Sequence, residues 1–351
     1  MRGSIASHDR VPSGRSGLSR RRFLAASAAA TATAGVAACS RNEEPIVRPE
    51  GVPLSPFTKK STTAEVLAGI DLSGKTVLIT GATSGLGLES MRALHSRGAR
   101  VIGTGRTLAK AQEACGPLGE RAVPLALELE SLDSVRACAD AVRALGMPID
   151  VLMCNAGIMA LPKQEKINGI EKQFFVNHLG HFVLVNRLLD QVKAVPQGRV
   201  VVVTSSAYKW APPAGIEFDN LSQDREYTPN KAYGISKTAN GLFSLELARR
   251  LAGTTTTSNC INPGAVITNL ARHYPEWQKK IVGLIGGFLL KPVEAGASTQ
   301  VYVATAPALA KVSGYYFNEC NPEVPGGQMT NAALAQQLWA KSEELVAGYL
   351  A

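Results

Sequence analysis

Tyr233 and Lys237 stand four residues apart in the run Tyr233-Gly234-Ile235-Ser236-Lys237. If that run is helical, both side chains lie on one face, one turn apart. A phenol ordinarily titrates at about 10. An ammonium group beside it favours the phenolate and lowers that value. Tyr233 could then exchange a proton with a carbonyl or alcohol oxygen near neutral pH. The spacing is common by chance, so it gains meaning only from its neighbours.

Ser205-Ser206 ends a valine-rich strand upstream, and a serine there can hydrogen-bond a substrate oxygen or cap the following turn. Asn155-Ala156-Gly157 ends another strand, where a small turn lets the backbone pass close to a ligand. Asn177 lies in the otherwise apolar run Phe175-Val176-Asn177-His178-Leu179-Gly180. A buried amide is costly unless it is hydrogen-bonded, so Asn177 is either a structural bridge or the holder of a relay water. Pro263-Gly264 offers one more close turn, with Thr268 just beyond. His178, His181 and His273 have no ligand spacing and read as packing or surface residues; no metal site is expected.

These residues need a scaffold. Thr76-Val77-Leu78-Ile79 reads as a strand that runs into Thr80-Gly81-Ala82-Thr83-Ser84-Gly85-Leu86-Gly87, with a helix opening near Leu86. Glycines at this spacing let a pyrophosphate approach the backbone, and the helix start supplies N–H groups and a positive dipole end. Gly81, Thr83, Ser84, Gly85, Leu86 and Gly87 are therefore candidate dinucleotide contacts. Further strands are expected at 100–103, 122–127, 149–154, 199–204, 257–262 and 314–317, with helices at 86–96, 108–115, 132–145, 173–192 and 233–251. Such alternation implies an α/β fold, a doubly wound parallel sheet in a single domain, with carboxyl ends of strands facing the ligand crevice. Thr62 and Glu65 fit a capping box for a short helix ahead of the first strand.

The whole set resembles the short-chain dehydrogenase/reductase family over about residues 62–345. That resemblance implies a Rossmann domain and a tetrad of Asn177, Ser206, Tyr233 and Lys237. In it Tyr233 is the acid/base, Lys237 lowers its pKa and contacts the nicotinamide ribose, Ser206 steadies the carbonyl, and Asn177 holds a water. Ser206 is preferred over Ser205 because the family serine is normally the second of this pair. The chemistry implied is hydride transfer between a nicotinamide and an alcohol or carbonyl carbon. Cofactor contacts are then expected from Asn155, Ala156, Gly157, Tyr233, Lys237, Pro263, Gly264 and Thr268. Glu128-Leu129 stands where the family usually has Asp followed by an apolar residue, beside the adenine. The second strand ends in Thr104-Gly105-Arg106 without the acid that binds a ribose 2′-OH, and Arg106 suits a 2′-phosphate, so NADP is expected. Phe218-Asp219-Asn220-Leu221, Ser236 to Asn240, Gly314 to Phe317 and Leu338-Trp339 resemble the retinol dehydrogenase and WW-domain oxidoreductase branch. That branch implies a hydrophobic alcohol or carbonyl substrate. The apolar stripe at Trp277, Ile281, Leu284, Ile285, Phe288 and Leu289 suits such a ligand, simple packing of a lid, or contact with lipid if Cys39 is an anchor. A non-catalytic NADP-binding protein on the same fold, a sensor or scaffold, is the alternative to an enzyme.

The formal charge of +9 is concentrated at the N-terminus, where residues 1–39 hold six arginines and one acid. The remainder carries 31 basic and 27 acidic residues, so a nucleic-acid partner gains no support. Ser19-Arg20-Arg21-Arg22-Phe23-Leu24 resembles a twin-arginine export signal, followed by an alanine-rich run that suits a signal's apolar region. Val36-Ala37-Ala38-Cys39 resembles a lipobox. The expected organisation is a signal over 1–39, a tether over 40–61 and the catalytic domain over 62–351. The expected location is periplasmic and membrane-tethered through a lipidated Cys39, with a cytoplasmic protein as the alternative. A homodimer or homotetramer could form through the two long helices. Five further cysteines, at 115, 138, 154, 260 and 320, match no redox or metal motif and read as small core residues.

Overall fold

The computed structural model describes residues 46–266 and 291–350. Residues 1–39, Cys39 and Thr268 therefore lie outside the described residues, as does the apolar stripe from Trp277 to Leu289. The chain divides into units 1–46 and 47–351, and every element below belongs to the second.

Eight strands form one sheet in the order β3-β2-β1-β4-β7-β8-β9-β10. They are β1 (Thr76–Ile79), β2 (Arg100–Gly105), β3 (Ala122–Ala126), β4 (Val151–Cys154), β7 (Arg199–Val203), β8 (Thr257–Asn262), β9 (Tyr316–Asn318) and β10 (Asn321–Glu323). All neighbours pair parallel except β9 and β10. A separate hairpin, β5 (Lys166–Ile167) with β6 (Ile170–Glu171), lies off the sheet. The order reverses between β1 and β4, and in an open parallel sheet that reversal opens the crevice where ligands bind.

The strand residues sort onto two faces with period two. Leu78, Leu152, Val200 and Val202 enter one core; Val77, Ile79, Val151, Met153, Val201 and Val203 enter the other. The first core is covered by α4 (Leu132–Ala144), α5 (Gly180–Lys193), α6 (Pro229–Arg250) and α8 (Ala332–Leu345). The second is covered by α2 (Gly85–Ser96) and α7 (Val293–Thr305), with Cys115 of α3 (Leu108–Cys115) buried in it. This is the doubly wound parallel architecture expected from the strand and helix alternation. The short helix α1 (Thr63–Val66) carries the anticipated capping box: Thr62 accepts from the Glu65 N–H, and the Glu65 carboxylate accepts from the Thr62 N–H. All five remaining cysteines are buried and free.

Residues 47–57 run along the β10 edge. Arg48 donates to Pro322 O at 2.6 Å, the Ser55 N–H donates to the Asn321 side chain, and Phe57 meets Tyr302 edge to face. An edge covered in this way does not offer its unpaired groups to another chain.

Candidate active site

The elements at the reversal point bring the chemistry-bearing residues together. Helix α6 begins at Pro229, earlier than Tyr233, because Thr228 caps it and proline suits its first turn. Tyr233 and Lys237 thereby sit inside a formed helix, with the Lys237 ammonium 5.5 Å from the centre of the Tyr233 ring. Both are buried. Lys237 Nζ donates to Val203 O at 3.1 Å, at the end of β7. Burial pulls its pKa from 10.5 down to about 8.

Asn177 occupies a π-helical turn, Phe175–Leu179, between an α-helical turn at Lys172–Phe174 and α5. Wide turns of this kind frequently mark functional positions in helices. The Asn177 amide is fully engaged: Oδ1 accepts from the Ile158 N–H at 2.8 Å, and Nδ2 donates to Ile158 O and to Ser236 Oγ, each at 2.9 Å. Gln173, from the same helical run, accepts from the Ala160 N–H at 2.7 Å. Ala160 has a φ of 50°, a strained value for a residue with a side chain. Two amides therefore hold the loop that follows β4. The run itself is capped by the buried Glu171 carboxylate, which accepts from the Phe174 N–H, and burial raises the Glu171 pKa.

Ser205 and Ser206 divide their work. The Ser205 hydroxyl accepts from the Ala207 N–H and caps a short 3-10 turn, Ser206–Trp210. Ser206 is exposed, and its N–H donates to Asn262 Oδ1. The same Asn262 oxygen accepts from the Gly264 N–H, tying the end of β7 to the Pro263-Gly264 turn after β8. Trp210 closes the 3-10 turn 46% exposed, its ring 6.3 Å from that of Tyr233.

The glycine-rich turn is built for close approach. Gly81 has a φ of 68° and Gly85 one of 54°. A Cβ at Gly87 would lie 2.3 Å from Gly81 O and 2.5 Å from Asn155 Nδ2, so only glycine fits. Asn155 Nδ2 donates to Thr80 O at 2.8 Å and locks the turn to the end of β4. Ser84 is exposed at the N-cap of α2 and makes no side-chain cap there, so the first N–H groups of the helix are presented to the crevice. Thr83 lies beside Gly105, and Leu86 is buried. Arg106 is exposed just after β2, immediately ahead of the Thr107 cap of α3. The Glu128 carboxylate accepts from the Glu130 N–H, while Leu129 is buried against Gly180. Gly157 packs between Asn177 and Lys237: a Cβ there would stand 3.2 Å from Asn177 Oδ1 and 3.6 Å from Lys237 Nζ.

Two buried residues of the site give no motif in the sequence. His181 bridges Thr80 Oγ1 and Asn177 O, each at 2.9 Å. Gln300, from α7, donates to Ser90 Oγ at 2.6 Å and reaches Asn155 Oδ1 at 3.3 Å. The signal available for either was a polar residue on an otherwise apolar helix. His178 is structural: it bonds Ser342 Oγ within a cluster of Phe174, Phe182 and Phe243, and burial lowers its pKa to about 3. Among the described residues no cluster of metal-ligating side chains occurs, and no helix is long and apolar enough to cross a membrane.

Known proteins are similar to this chain in sequence and fold. The family model described as short chain dehydrogenase matches residues 75–217. Human retinol dehydrogenase 14 is 42% identical over 297 residues, covering 78% of this chain and 87% of that protein. The human WW domain-containing oxidoreductase is 37% identical over 310 residues, covering 84% of this chain and 74% of that protein. A crystal structure of an uncharacterized protein from Mycobacterium paratuberculosis superposes with a TM-score of 0.64 at 33% identity, covering 82% of this chain and 97% of that one.

Proposed function

The chain belongs to the short-chain dehydrogenase family, and from that premise we propose that it is an NADP-dependent oxidoreductase interconverting an alcohol and a carbonyl on a hydrophobic small molecule. The observation that carries the reading is the buried Lys237 ammonium beside the Tyr233 ring, at the mouth of a parallel sheet whose first turn admits no side chain at Gly87.

The turn fits a dinucleotide: its glycines clear the backbone, and the uncapped start of α2 faces the crevice. Gly81, Thr83, Ser84, Gly85, Leu86 and Gly87 would hold the pyrophosphate side, and Asn155, Ala156 and Gly157 would line the path to Lys237. The nicotinamide, when bound, supplies or accepts the hydride. The protein's own part is proton transfer and orientation. In reduction the Tyr233 hydroxyl gives its proton to the carbonyl oxygen as that oxygen gains charge; in oxidation the phenolate takes the alcohol proton. Lys237 favours the phenolate by its charge. Ser206, exposed beside the turn that Ser205 caps, donates to the substrate oxygen. Asn177 holds Ile158 in place through a side-chain amide that is already engaged.

Arg106, exposed where NAD-selective sites carry an acid, supports NADP over NAD. Trp210, half exposed beside Tyr233, supports an apolar substrate. The three arginines at 20–22 and the run ending at Cys39 support export by the twin-arginine route and a lipid tether. The reading is tested by following reduced-nicotinamide absorbance with NADPH or NADH against a set of hydrophobic aldehydes and ketones. Arg106→Ala should weaken NADPH by about tenfold and leave NADH unchanged, as loss of a charge-assisted pair predicts. Equal use of both cofactors by the parent enzyme would overturn the NADP assignment.

A further inference from the structure

We infer that His181 is a positioning residue: a neutral imidazole, hydrogen-bearing at Nδ1 and bare at Nε2, that holds the Asn177 turn and the Asn155-Ala156-Gly157 turn in register. Only the NADPH and kinetic parts of its test rest on the function proposed above.

Hydrogen-bond geometry dictates the tautomer. Nδ1 faces Asn177 O at 2.9 Å, and a main-chain carbonyl can only accept, so Nδ1 carries the hydrogen. An imidazolium is excluded because the ring is fully buried and Lys237 adds a positive charge nearby; burial first, then Lys237, lower the His181 pKa, against the bond to Asn177, to about 4. Nε2 is therefore bare and accepts from the Thr80 hydroxyl at 2.9 Å. Thr80 has one hydroxyl hydrogen, so its 3.4 Å approach to Met153 O carries none. Its oxygen accepts in turn from the N–H groups of Asn155 and Ala156, each at 2.9 Å.

The result is a run of hydrogen bonds of one polarity, from the turn after β4, through Thr80 and His181, to the π-helical turn. Both ends matter to the site. One end carries Gly157, packed against Lys237 Nζ; the other carries Asn177, which holds Ile158. No other side chain joins these two turns through Thr80 among the described residues. A histidine suits this place because one ring supplies a donor and an acceptor at fixed separation.

Two measurements on the full chain test the inference. In protein labelled with ¹⁵N at histidine, the resonances lost in His181→Asn identify His181. The expected spectrum shows a hydrogen on Nδ1 and none on Nε2 at neutral pH; the opposite tautomer or an imidazolium overturns the inference. The second measurement pairs an NADPH fluorescence titration with turnover of a medium-chain aldehyde. His181→Phe removes donor and acceptor, whereas His181→Asn places an amide N–H near the Nδ1 position and leaves the Thr80 hydroxyl only the long 3.4 Å approach to Met153 O. NADPH affinity should fall about tenfold in both variants, as one buried unmatched group predicts. The rate constant kcat should fall about 10–100-fold in His181→Phe and return to within about threefold of the parent in His181→Asn. Unchanged constants in His181→Phe, or equal losses of kcat in both variants in step with urea stability, overturn the inference. If His181→Phe does not fold, unchanged NADPH affinity in His181→Asn overturns it. A parent protein that binds NADPH but turns over no carbonyl refutes the enzyme reading, and the tautomer spectrum still decides the role of His181.

Discussion

Replacing Lys237 by methionine should make the protein without cofactor more stable while destroying its activity. The ammonium is buried, and its pKa stands at about 8 against an ordinary 10.5. A lysine whose folded value lies below its unfolded one is penalised in the fold wherever it is protonated. The penalty is complete below pH 8 and vanishes as pH rises through 10.5. Converted by linkage, it is about 3 kcal/mol at pH 7 and about 1 kcal/mol at pH 9.5. Methionine has similar length and no charge to desolvate. The oxygen it leaves behind, Val203 O, keeps a donor in Asn240 Nδ2 at 3.1 Å. Subtracting about 1 kcal/mol for the lost lysine bond leaves a net gain of about 2 kcal/mol at pH 7. Urea denaturation of the parent and Lys237→Met, run at pH 7 and at pH 9.5, measures it. The variant's advantage should shrink by about 2 kcal/mol across that interval. A variant less stable than the parent at pH 7, or a difference that does not change with pH, would refute the claim that Lys237 is a strained, function-bearing cation.

Gly87→Ala should lose about 1–3 kcal/mol of stability and at least about tenfold in NADPH affinity, because its methyl group would press on Gly81 O and Asn155 Nδ2, neither of which is free to retreat. Parent-like melting and binding would contradict the close-packed turn. Trp210→Ala should raise KM about tenfold for long apolar aldehydes and leave a two-carbon aldehyde unaffected, since only the larger substrate reaches the indole. Equal effects on both substrates would remove Trp210 from the substrate wall.

Much of the scaffold was legible from local pattern. Strands such as Arg199–Val203 are near-continuous β-branched runs, the mark of a sheet buried on both faces. Helices α2 to α4 followed from apolar periodicity, and the glycine spacing marked the turn before α2. Helix α7 was not expected, because Ala295 to Ala304 are buried all round and show no polar stripe to set a period. Strand β10 is too short to read, and contains Pro322 at an edge where its missing N–H costs nothing. The wide turn at Asn177 depends on tertiary partners, Ile158 and Ser236, that no local window contains. For the same reason Tyr233 and Lys237 could be named from their spacing, whereas His181 could not: its two partners are residue 80, far away in the chain, and a carbonyl oxygen that any sequence provides. A polar ring on an apolar helix face looks alike whether it packs or positions.

The most direct measurement is Tyr233→Phe, compared with the parent for NADPH binding and for single-turnover reduction of an apolar aldehyde. The phenol oxygen is the proposed proton donor, so the variant should bind NADPH within about twofold of the parent and lose at least about a thousandfold in rate. Turnover at the parental rate with intact NADPH binding would contradict the account.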